Sequence, residues 1–396
     1  MNTRTILVLL LAICTAHAMV HMYELALPSV ELSLADDYQV ETDTIGWMSF
    51  LWRMPWGFGA LVAGFLVDRY GARRLLAIFL IGCGACCCIA AFAPPLSMMM
   101  VTMFAMGTFA CIYHPAGLAL LSHEIPREEL PKALGWHGVF GSAGIGAAPF
   151  IMAAVLMSGG TWHSLFWVMA LPGFVIGGYF IYLARTQPET QHVKRDENSD
   201  EDATDWISFG LIAAQSIFLG FTYAGVLSFL IRYLSQSGAV FAGLAPELRG
   251  NLLGGGILLI GCIGQYFSGY IARREKLESQ LFWIALSTVP CLLAMAFVPP
   301  SFRPLAAGAF TLTFFMHQPV QSCLVAEYTP RHRRSLCYGI MFALANGVGG
   351  VGAIFAGHIA ENELKYSVFA IFMAGATLFN VVLWHRNRSR MTEMSH

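Results

Sequence analysis

Runs of about 20 predominantly apolar residues recur from one end of this 396-residue chain to the other. At 1.5 Å of rise per residue, each run as a helix crosses about 30 Å of hydrocarbon. The chain is 57% hydrophobic and 12% charged, about half the charge of a soluble domain. Inside hydrocarbon the backbone must satisfy its own hydrogen bonds, which dictates helices for runs of this kind. The expectation is an all-α membrane protein. Spans are predicted near 5–31, 44–67, 74–93, 97–123, 132–157, 162–184, 206–234, 250–272, 279–298, 303–327, 335–358 and 365–385, twelve helices in all. A net charge of −1 argues against a nucleic-acid binder. The ten cysteines all fall within spans, with no CxxC pair, and read as packing residues with no metal site among them. Arg4, the apolar core after it and "AHA" (Ala16–Ala18) imitate a secretory leader. The chain is expected to keep this stretch, since its loss would leave eleven spans.

Positive charge sets the predicted orientation. With the N-terminus inside, the cytoplasmic segments hold Arg4; Arg69, Arg73 and Arg74; Arg127 and Lys132; Arg185, Lys194 and Arg195; Arg273, Arg274 and Lys276; Arg331, Arg333 and Arg334; and Arg386, Arg388 and Arg390. Arg232, Arg249, Arg303 and Lys365 fall outside, and Arg53 alone lies well within a span. Both termini are therefore expected in the cytoplasm of a bacterial inner membrane. The stretch 185–205, charged and poor in apolar residues, reads as a flexible linker. It separates a bundle at 1–184 from a bundle at 206–385, with a tail at 386–396. The halves repeat weakly: Pro115 and Pro319, Pro126 and Pro330, Gly135 and Gly339, and Gly146 and Gly350 recur at one offset. Duplicated six-helix bundles in a membrane point to alternating access around a central cavity.

The loop "GFLVDRYGARR" (64–74) resembles the signature loop of the major facilitator superfamily, with Gly64, Leu66, Asp68, Arg69, Gly71, Arg73 and Arg74 in place. Gly64 is expected to let helices pack closely and Gly71 to supply a tight turn. The resemblance implies that Asp68 helps latch the halves at the cytoplasmic gate. The matching "GYIARREKL" has Arg273 at the Asp68 place, a degenerate second latch or plain topogenic charge. "GWHGVFGSAGIGAAPF" (135–150) partly resembles the glycine-proline motif of the superfamily's antiporters, which favours export. "IYHPAGLALLS" with a histidine and an acid in span one is similar to the fosmidomycin-resistance type of efflux protein, a likeness too short to carry its substrate.

Ionisable groups within a bilayer are costly and tend to face a cavity or a partner. In "HAMVHMYE" (17–24), His21 lies about 40° and Glu24 about 20° from His17 on a helical wheel, so all three share one face. Glu24 and Arg53 fall at similar depths in adjacent antiparallel helices and are expected to pair. As a functional pair, Glu24 carries the coupling proton and Arg53 holds an anionic substrate; as a structural pair, they fix the packing of spans one and two. His17 and His21 extend a proton path or bind substrate. With Cys14 they form a stripe that would make half of a metal site. His114 and His317, beside Pro115 and Pro319, are cavity-lining candidates, as are Gln321, Asn346 and Tyr223, with Gln215 weaker. Glu124 and Glu327 are gate or cap residues. No nucleotide-binding loop and no nucleophile–base constellation is present, so neither ATP drive nor enzymatic activity is expected. The expected function is proton-coupled efflux of a small organic solute, anionic or amphipathic, by a monomeric antiporter that needs only a proton gradient and no cofactor. The alternatives are an uptake symporter or facilitator for organic anions, a divalent metal exporter, and a non-transporting membrane sensor.

Overall fold

The computed structural model describes residues 3–126, 129–187, 204–238, 240–330 and 333–393. Most of the expected linker, with Lys194 and Arg195, lies outside these residues, as do Arg127, Arg331 and 394–396. The first six spans are α1 (Thr3–Tyr38), α2 (Thr42–Tyr70), α3 (Ala72–Ala91), the broken pair α4 (Leu96–Ala110) and α5 (Tyr113–Glu124), α6 (Leu130–Met157) and α7 (Trp162–Thr186). The last six are α8 (Trp206–Ser235), α9 (Pro246–Ile271), α10 (Leu277–Phe297), the broken pair α11 (Arg303–Phe315) and α12 (His317–Tyr328), the composite α13 (Arg334–Phe342) and α14 (Val351–His358), and α15 (Asn362–Glu393). They form two pseudo-symmetric six-helix bundles. One end of the molecule, the near end, carries both termini; the other is the far end.

Eleven helical stretches among the described residues are long and apolar enough to cross a membrane. The pair α11–α12 is the twelfth span and is not among the eleven, because His317, Gln318, Gln321 and Ser322 lower its hydropathy. The breaks in spans four and ten share one cause. A proline lacks an N–H and its ring crowds the carbonyl four residues earlier. Pro115 and Pro319 therefore disturb Cys111 and Phe315, where the two helices part. α1 runs to Tyr38, past the end expected near residue 31. The polar residues of its last turns, Glu31 and Ser33, find partners on the opposite half, so no loop is needed to solvate them.

The halves meet through small residues. A Cβ at Gly57 of α2 would stand 2.2 Å from Gly347 N across the interface, and within the second half one at Gly220 of α8 would stand 1.8 Å from Ala345 O. Only residues without side chains let these backbones approach so closely. Both reach the same segment, Ala343–Val348, a π-helical stretch between α13 and α14 in which Gly349 N donates to Leu344 O at 2.9 Å. Gly71 supplies the α2–α3 turn with φ +89°. Gly64 differs from expectation: a Cβ there meets nothing within 4 Å, so it makes no close helix contact.

At the near end, each half carries an arginine–glutamate pair, buried in the first half and exposed in the second. Arg73 donates to Glu124 at 2.5 Å and to the Gln187 carbonyl at 2.5 Å. Arg274 donates to Glu327 at 2.5 Å. Glu124 and Glu327 thus tie the end of a broken span to the start of the preceding hairpin within their own half, and Arg274 has a bond partner besides any topogenic role. Gly220→Val is expected to destabilise the protein by about 3 kcal/mol or more through overpacking. Gly210→Val, with open space around its Cβ, leaves thermal unfolding in detergent nearly unchanged.

Candidate functional site

The middle of α1 and of α2 meet in a buried ion pair. Arg53 Nη1 donates to Glu24 Oε1 at 2.8 Å, with both side chains at 2% exposure or less. The other carboxylate oxygen accepts from His21 Nδ1 at 3.0 Å. From the second half, Tyr223 of α8 lies under the guanidinium, with Arg53 Cζ 5.1 Å from the ring centroid. Gly350 closes on the same side chain, a Cβ there standing 3.3 Å from Arg53 Cβ. The pair therefore belongs to the first half by chain and to both halves by contact. Beside it lies a cavity of about 10 Å³, lined by Glu24, Leu27, Pro28, Ser49, Trp52, Arg53 and Ser228. That is room for about one water molecule. Two buried donors in its wall, Ser49 Oγ and Trp52 Nε1, find no hydrogen-bond partner.

Below Glu24, towards the near end, the α1 stripe continues into a cluster of rings from three spans. His17 stacks on His137 of α6 at 3.9 Å between centroids and lies 5.1 Å from His21 and 5.4 Å from His114. His17 Nδ1 donates to the His137 carbonyl at 2.7 Å, which turns its Nε2 lone pair inward. His21, donating from Nδ1 to Glu24, likewise points Nε2 inward. His17, His21 and His114 bring ligand atoms within 4.8 Å of one another. Tyr113 closes the cluster, its hydroxyl donating to Ile13 O at 3.0 Å and lying 2.9 Å from His137 Nε2. Trp56 and Phe342 cap His114 at centroid distances of 6.1 and 5.3 Å, and Phe342 comes from the second half. Hydrogen bonds and ring contacts thus gather Glu24, His21, His17, His114, His137 and Tyr113 into one cluster. Sequence reasoning missed His137 and Tyr113, although each stands in a stretch it had singled out for other reasons.

The family model of the Major Facilitator Superfamily matches residues 9–324. The chain belongs to this superfamily. Over 189 residues it is 25% identical to the MFS-type transporter YvkA of Bacillus subtilis, a match covering 47% of this chain and 40% of that protein. Over 336 residues it is 22% identical to the class B tetracycline resistance protein of Escherichia coli, covering 81% and 80%. Its fold is that of a bacterial homologue of the human lysosomal transporter Spinster in an inward-facing, occupied conformation, with a TM-score of 0.74, 14% identity and coverage of 95% and 96%.

The remaining candidates of this superfamily member divide by location. His317 is buried away from the ion pair, its Nδ1 donating to Phe314 O at 2.9 Å and its Nε2 unpaired; it does not join the histidine cluster of its pseudo-symmetric counterpart His114. Gln321 Nε2 donates to Gln215 Oε1 at 3.3 Å and to Ser216 Oγ at 3.1 Å, a separate polar group in the second half. Asn346 sits in the π-helical stretch and donates to Phe342 O at 3.4 Å. In the signature loop, Arg73 is buried in its clamp, Arg69 lies over the Tyr70 ring at 5.4 Å, and Asp68 and Arg74 are exposed.

A second ion pair, unforeseen in the sequence, locks the far end. Arg232 of α8 grips Glu31 of α1 through Nε at 2.9 and 3.0 Å and Nη2 at 2.7 Å. Glu31 is fully buried. Around it, Asn251 donates to Ser29 O at 2.9 Å and Ser33 Oγ donates to Glu247, while Thr42 donates to Gly357 O at 2.7 Å. These bonds all join one half to the other. Removing one partner of a buried, bidentate pair strands the other charge, a loss of about 2 kcal/mol or more. Glu31→Gln is therefore expected to open the far end. Spin labels at Gln39 and Gly243 will report a longer mean separation than in the parent; an unchanged separation would remove Glu31 from the closure.

Proposed function

We propose that this superfamily member is a proton-coupled antiporter that moves a small organic solute, anionic or amphipathic, outward across a bacterial inner membrane, with both termini cytoplasmic. One observation carries the reading: a buried carboxylate–guanidinium pair held by side chains from both halves. In this scheme the far end is closed by Glu31 and Arg232, and the near end faces the cytoplasm. On the outward leg an anionic group displaces the charged Glu24 carboxylate as the bidentate partner of Arg53. On the return leg a proton on Glu24 discharges its half of the pair, so solute and proton occupy the site in turn and move in opposite directions. Ser49 and Trp52 offer further donors to the solute, and Tyr223 and Trp56 offer faces for its apolar part. His21, His17, His114, His137 and Tyr113 line the way from Glu24 towards the near end and supply titratable groups beside it. Because both halves touch the pair, a change in its occupancy alters the energy of the interface they rock about. The transporter works as a monomer, with the proton gradient as its only drive. Likeness to a tetracycline resistance protein supports export, as does the glycine-rich stretch of α6 that precedes Pro149 within the helix.

The test is flux in proteoliposomes with an imposed pH gradient, using a panel of organic acids and lipophilic drugs. Glu24→Gln is expected to abolish pH-driven flux and to leave counterflow exchange intact. Surviving pH-driven flux would end the coupling role of Glu24. Arg53→Gln weakens binding of anionic solutes about 10- to 100-fold, the worth of a hydrogen bond to a charged group; unchanged affinity reduces Arg53 to a packing partner. Flux down a gradient of the opposite sense would make the protein an uptake symporter.

A second reading rests on His17, His21 and His114, whose ligand atoms lie within 4.8 Å of one another. Ligating histidines characteristically donate their other N–H to a carboxylate or carbonyl, as His21 and His17 do here. Under this reading the cargo is a divalent transition metal. Thermal stabilisation by Zn²⁺ alone, cancelled in His114→Ala, would favour it over the organic solute.

A further inference from the structure

A second cavity lies on the outside of the first bundle, away from the Glu24 site. It is a groove of about 790 Å³ between α3, α4 and α7, within the range of small-molecule sites. Its walls are Ile78, Ile81, Phe109 and Ile181, and its near-end mouth is flanked by Arg74 and Arg185. Along α3 it runs from Arg74 to Gly82, roughly 12 Å at the helical rise. That direction leads from the membrane face into the hydrocarbon. Gly82 fits the floor of the groove, because a Cβ there would stand 2.4 Å from the Phe109 ring.

The two arginines at the mouth are exposed, and neither makes a hydrogen bond or ion pair among the described residues. The contrast with the preceding residue is direct. Arg73 turns inward and consumes Glu124 and the Gln187 carbonyl, leaving no acid there for Arg74. Two unpaired guanidinium groups at the polar end of an apolar groove complement one kind of molecule, an anion carrying a hydrocarbon chain. We infer that the groove binds an anionic phospholipid, with the phosphate on Arg74 and Arg185 and an acyl chain lying over Ile78, Ile81 and Ile181. Guanidinium forks suit phosphate oxygens, and basic side chains between helix ends draw anionic headgroups. A free anion would use only the exposed, screened mouth; the lipid also uses the apolar wall. Bound there, it ties α3 to α7 beside the signature loop.

The experiment uses the full-length protein, delipidated in detergent, with thermal unfolding and native mass spectrometry as readouts. Phosphatidylglycerol, phosphatidylcholine and inorganic phosphate are added in parallel. Phosphatidylglycerol is expected to raise the melting temperature and remain bound, with the other two doing little. In Arg74→Gln/Arg185→Gln its apparent affinity falls about fivefold per arginine, the factor equivalent to about 1 kcal/mol per basic side chain at an anionic surface. Ala184→Trp, which fills the groove and leaves both charges, lowers it too. Arg273→Gln/Lys276→Gln, at the near end of the other half, does not. Equal effects of phosphatidylcholine and phosphatidylglycerol, a shift reproduced by inorganic phosphate, or undiminished binding in both the double arginine variant and Ala184→Trp would each overturn the proposal.

Discussion

The structure is organised around the problem of holding an arginine in the middle of a membrane. A lone guanidinium at that depth is too costly to keep. Glu24 supplies the countercharge, His21 fixes the second carboxylate oxygen, and the second half contributes an aromatic face and a close-packed glycine. A pair satisfied in this way is stable only while both halves stay in place. Fold and site are therefore one construction: the contacts that satisfy Arg53 also position the two bundles against each other.

The two ion pairs between or beside the halves differ in kind. Glu31–Arg232 crosses from one half to the other and is bidentate, so it acts as a fastener at the far end. Glu24–Arg53 lies within the first half and only touches the second, so its rearrangement changes the shape of the interface without severing it. The near-end pairs, Arg73–Glu124 and Arg274–Glu327, stay within their own halves; the glutamates correspond, whereas Arg274 stands at the place of Arg69 rather than Arg73. The buried pair stiffens the first bundle, and the exposed one adds little to the second. Two bundles, a fastener at one end and a responsive pair at the centre are the parts that rocking requires.

What the sequence made legible follows from periodicity and cost. Twelve spans, the shared face of His17, His21 and Glu24, and the meeting of Glu24 with Arg53 all follow from helical spacing and from the expense of charge in hydrocarbon. The breaks beside Pro115 and Pro319 follow from proline chemistry. Other features had no local signal. Glu31 stood at an expected span end, where an acid is unremarkable, and only the packing of α8 against α1 makes it central. His137 was hidden in a glycine-rich stretch whose small residues drew the reading to backbone packing, and Tyr113 looked like one aromatic among many. Gly64 belongs to a recognisable motif yet faces open space, because a motif specifies a residue type and only the fold specifies its neighbours. His317 repeats His114 in sequence but not in company, since the second half has no counterpart of the α1 stripe.

The stretch Ala343–Val348 carries a consequence of its own. A π-helical turn holds one residue more than an α-helical turn, so everything after it is rotated by about 100° and displaced about 1.5 Å from where an unbroken helix would put it. Gly350 and Gly352 owe to that offset their seats against Arg53 and Phe221. A regular α-helix through all the same residues would turn those glycines aside, whereas loss of a single residue here would restore the regular helix and leave them seated. The extra residue works as a phase shift in the chain, and the arginine of one half is housed by the angular error of the other.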